Sequence, residues 1–126
     1  MPRPSSLTTL GVLRFAIGGG AWAAPGLAGK AFGLDVEANP QAPYFARLFG
    51  VRDAALGYGL LFTTGETQRQ WARIGIACDV ADVAAGLAGG ARGYLPKSTT
   101  AVVTATALLA VGLGVAAARD GQPGPA

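Results

Sequence analysis

Residues 100–118 read TAVVTATALLAVGLGVAAA and contain no charged side chain. A helix of about 20 apolar residues is long enough to cross the ~30 Å hydrocarbon core of a bilayer. A helix on the surface of a soluble domain shows a polar face, whereas this stretch is apolar on all sides apart from its threonines, which membrane helices tolerate. The stretch therefore predicts a transmembrane helix.

Three further stretches have a similar length and character, at residues 7–27, 44–62 and 71–91. The composition agrees with them, because charged residues make up 13% of the chain, about half of the ~25% found in soluble domains. The 20 glycines are typical of membrane helices that pack closely. We therefore predict an all-α fold, a single domain that forms a four-helix transmembrane bundle, in a multi-pass protein of the cell membrane.

The longest connection, residues 28–43, mixes apolar and charged side chains. This pattern predicts either a short interfacial element on the membrane surface or an ordinary polar loop. The tail, residues 119–126, is rich in Gly and Pro and is expected to be flexible. Aromatic residues at the predicted span ends suggest an interfacial belt, formed by Trp22, Tyr44, Trp71 and Tyr94.

Charged residues interrupt three of the four apolar stretches. A charge at the centre of a membrane helix costs ~2.5–3.5 kcal/mol, whereas each large aliphatic side chain or Phe returns only ~0.3–0.6 kcal/mol. The second stretch holds three of these charges, so it is not stable alone in lipid and needs partner helices. Three positive and three negative charges can neutralise one another inside the bundle: Arg14, Arg47, Arg52, Asp53, Asp79 and Asp82.

Helical spacing places several of these charges on glycine-rich faces. Asp79 and Asp82 share one face of the third span with Gly75, Gly86 and Gly89. Because two carboxylates close together in a poor solvent do not both ionise cheaply, this pair is expected to hold one proton between its members.

The neighbouring spans show the same pattern. Arg14 shares its face with Gly11 and Gly18, and Arg47 lies on the same side of the second span as Gly50, Asp53 and Gly57. Asp53 follows Arg52 directly and shares its helix side with Arg47, so we expect a cationic neighbour to keep it ionised. The Asp79–Asp82 pair must rely on Arg14 or Arg52 from other helices.

Several functions are disfavoured by what the sequence lacks. There is no histidine, which removes imidazole metal sites, histidine-ligated haem and histidine-based catalytic triads. We expect no metal and no cofactor. The ten Lys and Arg residues are scattered singly, so no basic stripe suits a nucleic acid.

The order of motifs resembles a known family. Pro25 ends the first span, Phe32-Gly33-Leu34 follows, and FGVRDAALG stands at residues 49–57. This resembles a family of small four-helix integral membrane proteins of bacteria and fungi that has no established function. The most specific part is the G-x-R-D-x-x-x-G segment, with Gly50, Arg52, Asp53 and Gly57. The resemblance implies a fold and a membrane location, and it brings no catalytic residue with it.

Two classes of function fit these residues. The first is a non-enzymatic membrane protein whose charges, together with Tyr58, bind a small lipophilic molecule or a proton, or which is a subunit of a membrane assembly. The second is an intramembrane enzyme, such as an isomerase or cyclase, with Asp53, Asp79 or Asp82 as general acid. A purely structural role of the ion pairs, fixing helix register, is a further alternative.

The expected partners follow from the same reading. They are membrane lipid, a lipophilic ligand, and either a second copy of the chain or another subunit. The protein surface for such a subunit is expected at the glycines of the last two spans: Gly75, Gly86, Gly89, Gly90, Gly112 and Gly114.

Overall fold

The computed structural model describes residues 5–120 and is all-helical over that range. Its elements are five α-helices in chain order: α1 (Ser6–Ala23), α2 (Pro25–Ala31), α3 (Ala42–Leu61), α4 (Gly65–Arg92) and α5 (Lys97–Asp120). The predicted tail is therefore helical at Arg119 and Asp120, and its remaining residues, 121–126, lie outside the described range. The four long helices and the short α2 account for the predicted all-α fold class.

The first apolar stretch is divided between two helices. Proline has no backbone N–H and clashes with the preceding turn, so a helix that reaches it ends or bends. Here α1 ends at Ala23, Pro25 is the first residue of α2, and the two axes differ by 113°. The connection that follows is held against α5, because Thr99 Oγ1 donates a 2.9 Å hydrogen bond to the Gly33 carbonyl.

Helices α1 and α3 pack antiparallel through glycine. A Cβ at Gly18 would overlap the backbone of Ala54 and Gly50, and a Cβ at Gly57 would lie 2.7 Å from the Gly11 carbonyl oxygen. These two glycine pairs let the two backbones touch directly. The first hairpin of the fold is therefore built on direct backbone contact between α1 and α3.

Helices α4 and α5 form a second antiparallel hairpin, and most of the glycines in it are used within the chain. A Cβ at Gly86 would meet Thr104, one at Gly90 would meet Thr100, and one at Gly114 would meet Ile76. Gly75 and Gly89 are likewise covered by Arg14 and Leu95, whereas Gly112 has open space beside it. The glycines that suggested a surface for another subunit thus serve mainly for packing inside this chain.

The two hairpins are closed against each other at one end. A cluster of buried side chains fills this end, with Trp71 packed on it: Leu7, Leu10, Leu60, Ala72 and Ala117. The start of α1 and the end of α5 meet here, where Ser6 Oγ donates a 2.8 Å hydrogen bond to Asp120 Oδ2. The first and last described residues therefore lie at the same end of the molecule.

The outer surface of the helices is strongly apolar. Large hydrophobic side chains are at least half exposed on each long helix, among them Ile17, Val51, Val80 and Leu109. By length and composition, α4 and α5 are able to cross a membrane, and α1 with α2 is a third candidate if the bent pair counts as one span. Helix α3 is not among these candidates; it carries Arg47, Arg52 and Asp53.

Three of the four predicted belt residues are exposed, namely Trp22, Tyr44 and Tyr94. They lie at the end of α1, at the start of α3 and in the α4–α5 connection, which is the end opposite the closed cluster. Trp71 differs, because its ring packs over Gly59 and the buried cluster. The exposed residues of the predicted belt thus lie at one end of the molecule.

Candidate functional site

The centre of the site is one guanidinium that binds two carboxylates. Arg14 Nη1 donates a 2.9 Å hydrogen bond to Asp53 Oδ1, and Arg14 Nη2 donates a 2.5 Å hydrogen bond to Asp79 Oδ2. Nη1 also lies 3.5 Å from Asp79 Oδ1. All three residues are about 95% buried. The group Arg14–Asp53–Asp79 thus joins α1, α3 and α4 through one cation.

The glycine packing determines where this group forms. Arg14 lies between Gly11 and Gly18 on α1, and Asp53 lies between Gly50 and Gly57 on α3. Because the two helices touch at both glycine pairs, the side chains between them face each other across a very short distance.

Helix α4 makes room for the same guanidinium with another glycine. A Cβ at Gly75 would lie 2.9 Å from Arg14 Nη2. Gly75 precedes Asp79 by one helical turn, so the space that it leaves lets Arg14 reach the aspartate. The predicted face with Gly75 and Asp79 is confirmed by this contact.

A second ion pair lies beside the first. Arg52 binds Asp82 with two hydrogen bonds, Nη1 to Oδ1 at 2.9 Å and Nη2 to Oδ2 at 2.6 Å. The Arg52 guanidinium also lies 5.2 Å from the centre of the Phe49 ring, a cation–π distance. Both side chains are about one-third exposed. This pair is therefore bidentate and one-to-one, unlike the shared arrangement at Arg14.

A large cavity adjoins these ion pairs. Its volume is about 530 Å³, within the range of ~300–1,000 Å³ that holds small molecules. It lies between the α1–α3 hairpin and the α4–α5 hairpin, and α2 and Leu95 contribute at the end away from the closed cluster. Its charged lining residues are Arg14, Asp53, Asp79 and Asp82.

Apolar side chains form the rest of the wall, including Leu13, Ile17, Phe32, Phe49, Ala107 and Leu113. Leu13 and Leu113 are both 46% exposed and Ile17 is 55% exposed. The cavity wall is therefore partly open to the surroundings along α1 and α5, the two helices that carry these side chains.

Two predicted site residues lie away from the cavity. Arg47 is exposed; its Nε donates a 3.1 Å hydrogen bond to the Trp22 carbonyl, and its guanidinium lies 5.3 Å from the Trp22 ring centre. The cation that binds Asp53 is therefore Arg14 on the adjoining helix, and not Arg47 on its own helix. Tyr58 is 57% exposed and stacks on Phe62.

The predicted Asp79–Asp82 carboxylate pair is divided between two cations. Both residues bind arginines from other helices, as predicted, but Asp79 binds Arg14 and Asp82 binds Arg52. The two carboxylates that meet at one cation are Asp53 and Asp79, and they come from different helices.

The sequence analysis did not predict the apolar wall of the cavity. Phe32 and Leu34, in the Phe-Gly-Leu motif, line it, so the motif was a signal for one of its ends. The lining residues of α5 carry no such signal, because they are small or aliphatic like their neighbours. Within residues 5–120 no group of three or more acidic or Cys side chains is placed to hold a metal ion.

Comparison of the chain with protein-family models, with curated proteins and with solved structures finds no match.

Proposed function

We propose that this protein is a multi-pass membrane protein whose four long helices all cross the bilayer. The distribution of side chains supports this, since large hydrophobic residues face outward and Arg14, Asp53 and Asp79 are buried inside. In a water-soluble protein an exposed apolar surface of this extent would drive aggregation.

Helix α3 belongs to this proposal despite its charges. Asp53 and Arg52 bind charged partners on α1 and α4, and Arg47 lies near the end of the helix against Trp22. The cost of a charge in lipid falls when it is paired inside the bundle or placed near the interface. An α3 that crosses the membrane with Arg52 and Asp53 turned inward and Arg47 near its end is consistent with both conditions.

We further propose that the protein binds a small lipophilic molecule in the cavity. The observation that carries this proposal is a cavity of about 530 Å³ whose mostly apolar wall includes four charged side chains. Small-molecule sites combine a largely apolar surface with a few polar groups that orient the ligand. The partly open wall along α1 and α5 would admit a compound directly from the lipid phase.

Filling the cavity should remove the ligand. Ala107 is buried and lines the cavity, so Ala107→Phe places a ring in the space that a ligand needs. We expect the variant to lose most of the compound that copurifies with the wild type from its own membrane. Native mass spectrometry, followed by chromatography of the organic extract, measures the bound compound and identifies it.

Ala105→Phe is the matched control, because Ala105 is exposed on the same helix and is not among the residues that line the cavity. It should keep the wild-type amount of bound compound. If a folded Ala107→Phe protein retains as much of the copurified compound as the wild type, the compound does not bind in this cavity.

An intramembrane acid–base enzyme is the second candidate function. It is favoured by one observation, namely that Asp53 and Asp79 share a single guanidinium and both line the cavity. One of two carboxylates that share a cation can hold a proton and deliver it to a bound substrate. Conversion of the copurified compound on incubation, abolished by Asp79→Asn, would establish this function over simple binding.

A further inference from the structure

The charged groups at the cavity do not balance. Arg14 and Arg52 supply two positive charges, and the aspartates bound to them supply three negative charges. Arg14 serves both Asp53 and Asp79, whereas Arg52 is matched by Asp82 alone. In surroundings of low dielectric constant an uncompensated charge is expensive. The group Arg14–Asp53–Asp79 therefore requires one more positive charge, from a proton or from a ligand.

The unsatisfied oxygen of this group is on Asp53. Its Oδ1 accepts the hydrogen bond from Arg14, whereas its Oδ2 accepts none from residues 5–120. The Asp53 side chain is only 7% exposed and lines the cavity. Oδ2 is not fully enclosed by protein atoms, so a donor inside the cavity can reach it.

We propose that the ligand is a lipophilic amine in its protonated form, an inference that rests on the proposed ligand-binding function. Its ammonium group donates to Asp53 Oδ2 and supplies the missing positive charge. Its hydrocarbon body lies along the apolar wall and enters between Leu13 of α1 and Leu113 of α5, which are both half-exposed. Asp79 holds Arg14 in place and adds to the negative field at the ammonium.

Other head groups satisfy the cavity less well. An alcohol donates one hydrogen bond but leaves the excess charge uncompensated. A carboxylate adds a second negative charge beside Asp53 and Asp79 and is repelled. We expect this difference in charge and hydrogen bonding to change the affinity by about tenfold or more, since hydrogen bonds to charged groups are stronger than neutral ones.

The test compares three probes that share one hydrocarbon chain: dodecylamine, dodecanol and dodecanoate. Radiolabelled probes are equilibrated with the full-length protein in phosphatidylcholine nanodiscs, and the amount bound to empty nanodiscs is subtracted. We expect the amine to bind about tenfold more tightly than the alcohol, and the carboxylate to bind most weakly. Asp53→Asn should abolish the preference for the amine, whereas Glu37→Gln, which removes an exposed carboxylate, should keep it.

Each outcome separates the two proposals. Equal binding of the amine and the alcohol would contradict the proposal of an amine ligand. It would leave the proposed binding of lipophilic compounds in the cavity unaffected. Saturable binding of none of the three probes would overturn the ligand-binding function as well. If Asp53→Asn does not fold, the order of the three probes on the wild-type protein decides the question alone.

Discussion

Replacing Arg14 with Gln is expected to destabilise the protein more than any other single charge removal within the bundle. The change leaves Asp53 and Asp79, both about 95% buried, without their cation. Removing one partner of a buried ion pair typically costs ~3–5 kcal/mol, because the remaining charge is uncompensated. The free energy of unfolding, measured by denaturant titration in mixed micelles, should fall by about this amount.

Two further variants establish the cause. Arg73→Gln breaks an exposed pair with Glu66 at the start of α4 and should change stability little. The triple variant Arg14→Gln, Asp53→Asn, Asp79→Asn removes all three charges and should recover most of the loss, since replacing a complete buried group is often nearly neutral. A triple variant as unstable as Arg14→Gln would show that packing, not charge, accounts for the effect.

A substitution at Gly18, where α1 and α3 are in contact, should also destabilise the protein. A Cβ at Gly18 would overlap backbone atoms of Gly50 and Ala54, which no side-chain rotation relieves. We expect Gly18→Ala to force the helices apart and to cost ~1–3 kcal/mol or more, as overpacking does. Because the separation also moves Arg14 away from Asp53, binding of the copurified compound should weaken together with stability.

The adjacent glycine provides the control. A Cβ at Gly19 has no atom within 4 Å, since Gly19 is on the outer side of α1. Gly19→Ala should therefore leave the free energy of unfolding unchanged or raise it slightly, because alanine favours the helix. Equal losses of stability in Gly18→Ala and Gly19→Ala would contradict the backbone contact with α3.

Helical periodicity was sufficient to place charges on faces. Arg14 with Gly11 and Gly18, and Asp53 with Gly50 and Gly57, were assigned to common faces from spacing alone, and these faces meet in the structure. Helical spacing did not predict which arginine binds which aspartate. Three arginines were available to three aspartates, and the distances that select Arg14 for Asp53 depend on which helices are neighbours.

The bend between α1 and α2 and the cavity between the two hairpins were not predicted, for different reasons. Pro25 lies within a continuous apolar run, so hydropathy extended the first span across the 113° bend between α1 and α2. The cavity has no sequence pattern, because it results from how far apart two hairpins sit and not from any residue type. The shared role of Arg14 likewise follows from three helices meeting at one point.

If the protein crosses the membrane as proposed, the group Arg14–Asp53–Asp79 lies in the hydrocarbon core of the bilayer, beside the cavity. Val80 tests this most directly, because it follows Asp79 and is 51% exposed on the outer surface of α4. A spin label at Val80→Cys, in a Cys78→Ala background, reports the depth of the site. A second label at Thr67→Cys, roughly 20 Å away along the same helix, serves as the reference near the membrane surface.

Electron paramagnetic resonance then measures collisions of each label with oxygen, which concentrates in lipid, and with a water-soluble nickel chelate. The account predicts that the Val80 label collides with oxygen and is shielded from the chelate, while the Thr67 label is reached by the chelate. A Val80 label as accessible to the nickel chelate as the Thr67 label would place Arg14, Asp53 and Asp79 outside the membrane and contradict the account.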